Sequence, residues 1–432
     1  MRSQLVAAAL VPQLLGAGAG AVSLWEPTGP YHVGYTQHVF NHSTPVDPTP
    51  NPGILLVTIY YPTLQAPNTT APYVDATTAQ IYEPAFGVPN GSLSTVTTQL
   101  QYQAPTLLGT HPAFANGSSP YPTLIFTPGA GGFVGIYKAY LSELASHGFT
   151  VVGIDHPGEA LYTALPPDDG DDDDDTAPAG VAGSPAIMSG AAPAETYRQI
   201  YRYRVSDVQA VLAAPILPAL VAKTGAPFNT THLAVWGHSI GGAGAAGVII
   251  AAQEQQQQAA DNQTASNNKD NRIRAAANLD GTFQHLLALS PNGSVSHPDP
   301  SAPNPDLRTP FLELASARFG GREDGGSDAT WALFNSNQTS AWLRDVYVNG
   351  TAHLDYCDLP LLVDGLGLRG SAAVAAQVGS IAGRKVTEVV TGLLVRFFNE
   401  MVGGGVPMGG VPGSADEFID ATPEAIVLAE RN

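Results

Sequence analysis

The sequence predicts an α/β fold in which a mostly parallel central sheet carries helices on both faces. The first observation is a pair of apolar runs, at residues 123–127 and 149–155, separated by a helical pattern over residues 137–147. This order is that of a βαβ unit, and uniformly apolar strands are typical of parallel sheets. The second observation is that the chain offers further strands of this kind, in the segments LAVW (233–236), RIRAAANL (272–279), TPFLELAS (309–316) and RDVYVN (344–349).

An early strand and two helices complete the predicted core. The β-branched and aromatic run at residues 53–61 predicts the strand. Residues 195–212 predict an amphipathic helix, with Arg204 and Asp207 three positions apart, a spacing at which opposite charges can interact. An apolar stripe between Val386 and Met401 predicts a last helix that closes the fold.

Surface-loop insertions interrupt this core near residues 63–120, 158–193 and 254–271. The first is rich in Pro, Thr, Asn and Gly, so it is expected to wrap the surface with little regular structure. The second holds an acidic run at residues 171–175, which lacks the spaced ligands and glycine of an EF-hand loop. That run is interpreted as a solvated insertion, and no metal or other cofactor is expected. The third is glutamine-rich and too polar to order itself.

The charge balance and the cysteine count exclude several classes of protein. With 37 Asp and Glu against 18 Lys and Arg, the formal net charge is -19, which opposes binding to nucleic acid and to anionic membrane surfaces. Cys357 is the single cysteine, so no intrachain disulfide is possible. It is expected to be a buried small apolar residue rather than a reactive thiol.

The N-terminus has the pattern of a secretory signal peptide. Arg2 precedes an apolar stretch over residues 5–15 and small residues that offer a cleavage site after Ala19 or Ala21. The expected organisation is a signal peptide at 1–21 and a single domain over 22–432, in a secreted, extracellular glycoprotein. Nine Asn-x-Ser/Thr sites support export, at Asn41, Asn68, Asn90, Asn116, Asn229, Asn262, Asn292, Asn337 and Asn349.

The segment LAVWGHSIGGAGAAG contains the most informative motif. Gly237, His238, Ser239, Ile240 and Gly241 fit the G-x-S-x-G nucleophile elbow, a strained strand-to-helix turn that exposes a serine above a sheet. A short apolar strand precedes the motif and a helix of small residues follows it, as close strand–helix packing requires. The sequence therefore predicts the α/β-hydrolase fold with a nucleophilic serine.

A serine nucleophile needs a base and an orienting acid, and strand ends offer both. Asp280 ends one predicted strand, and His353 follows another after a short loop. Ser239, Asp280 and His353 then follow the chain order of α/β hydrolases, with each residue at the carboxyl edge of the sheet.

Four other histidines compete for the role of base, each from a weaker position. His285 and His297 lie in or near the loop after the predicted acid, with no strand just before them. His238 adjoins the serine in sequence, so its side chain is expected to pack or hydrogen-bond beside the elbow. His156 follows a strand end and could line the pocket, but it precedes the serine.

Asp345, Asp355 and Asp358 are the alternative acids. Asp345 begins its predicted strand, which places it at the wrong edge of the sheet. Asp355 and Asp358 follow the histidine too closely in sequence.

The glycine-rich loop at residues 128–132 predicts an oxyanion hole. Such a hole combines the N–H group after the nucleophile, here that of Ile240, with one from the loop after an earlier strand, here that of Ala130. The loop lacks the Lys-Ser/Thr of a P-loop and the G-x-G-x-x-G spacing, which disfavours nucleotide binding.

With these residues in place, the chain resembles the plasma-type platelet-activating factor acetylhydrolases and their fungal secreted relatives. The resemblance lies in TIYYP, FTPGAGG, LASHGFTVVGIDHPG, YRVSDVQAVL, GHSIGG, AAANLDGTF, NGTAHLDYCDLPLL and GRKVTEVVTGLLVRFF. It implies the same triad and oxyanion donors, and calcium-independent hydrolysis of short or oxidised sn-2 acyl chains of phospholipids. The expected partners are small-molecule or lipid esters, with at most peripheral contact with a lipid interface.

Two other functions stay open from the sequence. The oxyanion loop begins Thr-Pro-Gly where the animal enzymes have Ser-His-Gly, and bacterial polyester hydrolases share the GHS-x-GG elbow. A general short- or medium-chain esterase or a cutinase-like polyester hydrolase is therefore the main alternative. A non-catalytic binding protein on a hydrolase scaffold is the other, because a fold does not fix a function.

Overall fold

A central sheet of ten strands organises the protein in the computed structural model. Six neighbouring strands run parallel, and one edge is extended by an antiparallel hairpin. The order across the sheet is β17 (Ala425–Arg431), β16 (Leu343–Val348), β15 (Phe311–Ala315), β12 (Ile273–Leu279), β11 (Leu233–His238), β7 (Thr123–Thr127), β8 (Thr150–Asp155), β3 (Ile54–Thr63), β2 (His32–Asn41) and β6 (Gln101–Tyr102). The structure describes residues 22–47, 49, 53–108, 110–114, 119–166, 180–213, 216–217, 219–220, 225–261, 272–293, 296–317, 328–402 and 413–432.

The strands of the described residues are numbered along the chain. They are β1 (Val22–Ser23), β2 (His32–Asn41), β3 (Ile54–Thr63), β4 (Ala71–Pro72), β5 (Val96–Thr98), β6 (Gln101–Tyr102), β7 (Thr123–Thr127), β8 (Thr150–Asp155), β9 (Tyr162–Ala164), β10 (Gly180–Ala182), β11 (Leu233–His238), β12 (Ile273–Leu279), β13 (Leu287–Leu289), β14 (Ser296–Pro298), β15 (Phe311–Ala315), β16 (Leu343–Val348) and β17 (Ala425–Arg431).

The α-helices are numbered in the same way. They are α1 (Ala76–Ala85), α2 (Lys138–Ser146), α3 (Pro185–Met188), α4 (Ala194–Leu212), α5 (Ile240–Asp261), α6 (Ala329–Asn337), α7 (Leu359–Gly365), α8 (Ala372–Ala375), α9 (Gly383–Val402) and α10 (Ala415–Ala421). Short 3₁₀ turns occur at Leu93–Thr95, Pro112–Phe114, Val134–Tyr137, Gln284–Leu286 and His353–Tyr356.

The sheet separates two hydrophobic cores, one on each face. Helices α2, α7 and α9 contribute apolar side chains to the first core, together with strand residues such as Phe126 and Trp236. Helices α4, α5 and α6 contribute to the second core, together with Ile125 and Val235. Adjacent residues of one strand therefore enter opposite cores, which explains why strands such as β7 and β11 carry apolar residues at consecutive positions.

The predicted α/β architecture is confirmed, and the core elements match the sequence patterns closely. The strand predicted at residues 123–127 has those bounds, and the helix predicted at 195–212 begins one residue earlier. The predicted stripe from Val386 to Met401 lies within α9.

The prediction for residues 63–120 was wrong in part. This segment forms α1, whose N-cap Asp75 accepts a hydrogen bond from the N–H of Thr78. Tyr82 and Phe86 are fully buried in the first core, so the segment packs into the fold instead of only wrapping it. The sequence shows no apolar periodicity here because only a few large side chains, separated by small polar ones, make the contacts with the core.

Two further expectations are corrected. Helix α5 extends through the glutamine-rich stretch to Asp261, since helix propagation from an ordered start costs less than nucleation. Helix α9 does not close the fold, because α10 and the antiparallel edge strand β17 follow it.

Some expectations lie outside the described residues. These are the signal peptide at 1–21, the acidic run at 171–175, the end of the glutamine-rich insertion, and the sites Asn116 and Asn262. The second insertion is described only at its ends, where β9 pairs with β10 and α3 follows. In the described part of the chain, no helix has the length and apolar character needed to cross a membrane.

Candidate active site

Ser239 occupies a strained turn between β11 and α5. Its φ of 56° lies in the left-handed region, which non-glycine residues rarely adopt. The turn is also closely packed, because a Cβ atom at Gly241 would lie 2.2 Å from the carbonyl oxygen of Thr127, and one at Gly237 would lie 2.5 Å from the Gly241 carbonyl carbon. The small residues predicted for the elbow are therefore required by the contact between α5 and β7.

The structure brings Ser239, His353 and Asp280 into one hydrogen-bonded line. The Nε2 atom of His353 lies 3.1 Å from the Ser239 hydroxyl oxygen, and its Nδ1 atom lies 2.6 Å from an Asp280 carboxyl oxygen. Because a carboxylate oxygen accepts, Nδ1 carries the proton and the lone pair of Nε2 faces the serine. The imidazole is thus oriented to take the serine proton.

Asp280 is also held by Ser316. It follows β12 directly, is fully buried, and has a φ of 56°. Its two carboxyl oxygens accept hydrogen bonds from the N–H and the hydroxyl of Ser316, at 2.6 and 2.7 Å. These bonds restrict the carboxyl group to the orientation that faces His353.

The two predicted oxyanion donors are both available within the described residues. Neither the N–H of Ala130 nor that of Ile240 has a hydrogen-bond acceptor among the residues that the structure describes. Ile240 is the first residue of α5, where N–H groups lack intrahelical partners. Ala130 lies at the carboxyl end of β7, the neighbour of β11 in the sheet. The two positions suit a pair of donors above the elbow.

His238 connects the oxyanion loop to the backbone of His353. The N–H of Gly129 donates to the Tyr137 hydroxyl at 3.0 Å, and that hydroxyl lies 2.8 Å from Nδ1 of His238. Nε2 of His238 lies 3.0 Å from the carbonyl oxygen of His353, which can only accept. Nε2 of His238 therefore carries a proton, and in the neutral ring Tyr137 donates to Nδ1. Burial, with a contribution from His353, lowers the pKa of His238 well below its ordinary value.

The competing histidines have other surroundings. His156 is buried, and its Nδ1 atom contacts Asp207 at 2.9 Å. His285 packs its ring against Tyr201 and Phe283, and burial lowers its pKa to about 4. His297 lies exposed on β14.

The competing acids are engaged in the packing of the fold. Asp355 accepts from the N–H groups of Ala352 and Gly379, both at 2.8 Å. Asp358 accepts from the N–H of Ala139 and from a tyrosine hydroxyl, both at 3.0 Å. Burial raises the pKa of Asp345 to about 7.

Cys357 matches its predicted role as a buried residue. Its thiol donates to the carbonyl oxygen of Leu354 at 3.1 Å, and burial raises its pKa well above the ordinary thiol value. A protonated, buried thiol of this kind is a poor nucleophile.

The predicted interaction between Arg204 and Asp207 does not form. Arg204 instead pairs with Glu159, and Asp207 accepts from His42 and His156. Sequence reasoning missed Glu159, Arg204 and Tyr137 as neighbours of the site. One signal was present, because Arg204 follows Ile200 and precedes Val208 at intervals of four, on the apolar face of α4.

The family model described as platelet-activating factor acetylhydrolase, isoform II, matches residues 17–168, which include the oxyanion loop and end before the elbow. Over these residues the chain is therefore similar to the platelet-activating factor acetylhydrolases. A probable 1-alkyl-2-acetylglycerophosphocholine esterase of Arthroderma benhamiae is 21% identical over 280 residues, which cover 64% of this chain and 59% of that relative.

A solved structure extends the similarity of the fold to nearly the whole chain. A ferulic acid esterase from Streptomyces cinnamoneus superposes with a TM-score of 0.64 at 22% sequence identity. The match covers 95% of this chain and all of the other. The chain therefore shares its fold with that esterase.

Proposed function

We propose that this protein is a serine carboxylesterase that hydrolyses short or oxidised sn-2 acyl esters of phospholipids. The observation that carries the proposal is the line from the strained Ser239 through His353 to the buried Asp280, with two free N–H groups beside it. A general short- or medium-chain esterase, a polyester hydrolase and a non-catalytic binding protein are alternative outcomes of the test below.

In the first half-reaction, His353 removes the proton of Ser239 as the serine oxygen attacks the ester carbonyl carbon. The carbonyl oxygen becomes an oxyanion, which the N–H groups of Ala130 and Ile240 stabilise. Loss of one such donor in a serine hydrolase typically costs about 10² to 10³ in rate. Asp280 stabilises the imidazolium that forms, and the imidazolium then protonates the leaving alcohol.

In the second half-reaction, water takes the place of the alcohol. His353 removes a proton from water, and the resulting nucleophile attacks the acyl group on Ser239. The oxyanion hole acts again, and the acid leaves as the serine recovers its proton. Each proton that moves in this cycle passes through Nε2 of His353, which the geometry places 3.1 Å from the serine oxygen.

The proposed substrate class rests on the similarity to known proteins as well as on the geometry of the triad. The matching family model and the Arthroderma relative are both named for acetylated ether phospholipids or their hydrolysis. The triad by itself fits any ester that can reach Ser239. The acyl chain and the head group must therefore be determined by measurement.

The test is hydrolysis of p-nitrophenyl esters from acetate to palmitate and of an sn-2 acetyl phospholipid, without calcium, by wild-type and Ser239→Ala protein. We expect preference for acetyl and turnover of the phospholipid. The variant should lose hydrolysis and fluorophosphonate labelling, while its circular dichroism and its thermal midpoint stay close to wild type.

Other results would redirect or reject the proposal. A maximum at medium chain lengths without phospholipid turnover would indicate a general esterase or a polyester hydrolase. Absence of hydrolysis and of labelling in folded wild-type protein would favour the binding protein. Full activity of the folded variant would refute the mechanism.

Secretion and glycosylation form part of the proposal. Asn229 is half-buried. Six other predicted sites have exposed asparagines, namely Asn41, Asn68, Asn90, Asn292, Asn337 and Asn349. Exposure is a requirement for attachment of a bulky glycan. Expression in a eukaryotic host should yield protein in the medium whose mass falls after N-glycosidase treatment. Retention in the cell with unchanged mass would contradict this.

A further inference from the structure

We propose that the buried ion pair of Glu159 and Arg204 is a positioning device that sets the oxyanion loop, residues 128–132. The inference rests on the proposed esterase function, since it assigns a role in that reaction. Glu159 lies in the turn after β8, and Arg204 lies on α4. Neither side chain was among the predicted site residues.

The two side chains form a bidentate ion pair next to the loop. Nε of Arg204 donates to one carboxyl oxygen of Glu159 at 2.9 Å, and Nη2 donates to the other at 2.5 Å. The free edge of the guanidinium then reaches the loop, where Nη1 donates to the carbonyl oxygen of Pro128 and Nη2 donates to that of Gly129 at 3.1 Å. A planar guanidinium supplies such a fork of donors, whereas an ammonium group does not.

The carboxyl group of Glu159 also binds the oxyanion loop directly. One carboxyl oxygen accepts from the N–H of Gly131 at 3.1 Å. The pair therefore holds the carbonyl groups before Ala130 and the N–H group after it. The N–H of Ala130 belongs to the same planar peptide unit as the Gly129 carbonyl, so the bond from Arg204 to that carbonyl sets the direction of the N–H. The bond from the Gly131 N–H to Glu159 fixes the next peptide unit.

Three further polar groups of the loop are also engaged. The N–H of Gly129 donates to Tyr137, and the N–H of Gly132 donates to the Gly129 carbonyl oxygen at 3.0 Å. The Gly131 carbonyl oxygen accepts from the N–H of Leu161 at 2.9 Å. Among the N–H groups of residues 129–132, that of Ala130 alone lacks an acceptor within the described residues. The anchoring thus leaves free the one N–H group that this loop contributes to the proposed oxyanion hole.

The charges of the pair suit this role better than a role in stability. Both side chains are at most 1% exposed, and replacing a buried ion pair with apolar residues is often neutral or stabilising. Burial disfavours both charges, yet Arg204 holds the pKa of Glu159 below its ordinary value, and Glu159 holds that of Arg204 above its own. A charged pair directed at a loop of backbone dipoles is a rigid support for catalytic geometry.

The experiment compares Arg204→Lys with wild type by kcat and KM on p-nitrophenyl acetate. Lysine keeps the charge but cannot bind Glu159 and two carbonyl groups together. We expect kcat to fall roughly 10- to 100-fold, because displacement of about 1 Å at a reacting centre can cost that much. KM should stay within about twofold, since oxyanion donors act on the transition state.

Two controls separate positioning from stability. Tyr203→Phe removes a hydroxyl that donates to Glu159 but does not contact the loop, and it should keep kcat within about twofold. Arg344→Lys alters another buried arginine, paired with Asp416, and should lower the thermal midpoint without changing kcat. If Arg204→Lys does not fold, Glu159→Gln provides the same comparison with a side chain of the same shape.

The outcomes distinguish this inference from the proposed function. Inactive wild-type protein would remove the proposed function itself. Active wild-type protein with unchanged kcat in folded Arg204→Lys, even at a lower thermal midpoint, would overturn the positioning role alone. A rise in KM at constant kcat would also overturn it, because the pair would then act on ground-state binding.

Discussion

The protein contains two buried aspartates that each hold a histidine near the carboxyl edge of the sheet. In one pair, Nδ1 of His353 lies 2.6 Å from Asp280, and in the other, Nδ1 of His156 lies 2.9 Å from Asp207. Both aspartates are at most 1% exposed, and each histidine follows a parallel strand. The hydrogen bond within the pair therefore does not distinguish a catalytic site from a structural one.

The second nitrogen of each imidazole does distinguish them. Nε2 of His353 faces Ser239, and its side chain is 34% exposed. Nε2 of His156 is buried with no hydrogen-bond partner in the part of the chain that the structure describes, and its side chain is 3% exposed. A base needs both a proton to take and access for the substrate. Only the pair of His353 and Asp280 has both.

The aspartates also differ in what else they hold. Asp280 accepts its other hydrogen bonds from Ser316, one residue beyond the neighbouring strand β15. Asp207 accepts from His42 and Thr44, which follow β2. The first arrangement fixes one imidazole, whereas the second connects α4 to the ends of two strands. The same residue types thus orient an imidazole in the first pair and link a helix to strand ends in the second.

The largest effect should come from Asp280→Asn. The amide has almost the same shape, but an N–H2 group facing His353 would favour the wrong tautomer, and kcat should fall about 10⁴-fold. Steady-state hydrolysis of p-nitrophenyl acetate measures this, with Asp207→Asn as the matched substitution in the other pair. A loss of less than about tenfold would mean that Asp280 does not orient the base.

Asp207→Asn should produce the reverse pattern. Its amide places donors against His42, Thr44 or His156, so a buried donor loses its acceptor, at a cost of about 1 to 3 kcal/mol in the free energy of unfolding. Urea denaturation measures this cost, and kcat should stay within about threefold of wild type. A large loss of kcat at unchanged stability would place this pair in the catalytic machinery and break the distinction.

Much of this comparison follows from the sequence, because local rules apply to the elbow and the strand ends. Ser239, Asp280 and His353 each follow an apolar strand, and parallel strands bring such positions to one edge. The role of Arg204 was not predictable in this way. Its spacing from Asp207 fits a surface pair, and only the tertiary fold brings Glu159, from the turn after another strand, close to it.

Other errors have the same origin. Helix α1 has few large residues, and its Tyr82 packs in the first core and donates its hydroxyl to the carbonyl oxygen of Tyr162, 80 positions away. Strand β17 has exposed Val427 and Leu428 at the edge of the sheet, so it lacks the uniform burial that marks the central strands. This strand forms through its pairing with β16, and the local sequence pattern does not predict which strand it pairs with.

The smallest effect should be a dependence of stability on pH through His42. The hydrogen bond to Asp207 raises the pKa of His42, against the opposing effect of burial, so folding favours the protonated ring. This contribution is fully present below the unfolded value of about 6.5 and is lost as pH rises through the folded value. The thermal midpoint of wild type minus that of His42→Gln should therefore be larger at pH 5.5 than at pH 8.5.

Asp207 does not disturb this comparison. Its two histidines lower its pKa against the effect of burial, so its contribution to stability is present above about pH 4 and stays constant over this range. A difference that does not change with pH would show that His42 serves only as a neutral donor, and the second pair would then be a crosslink without charge.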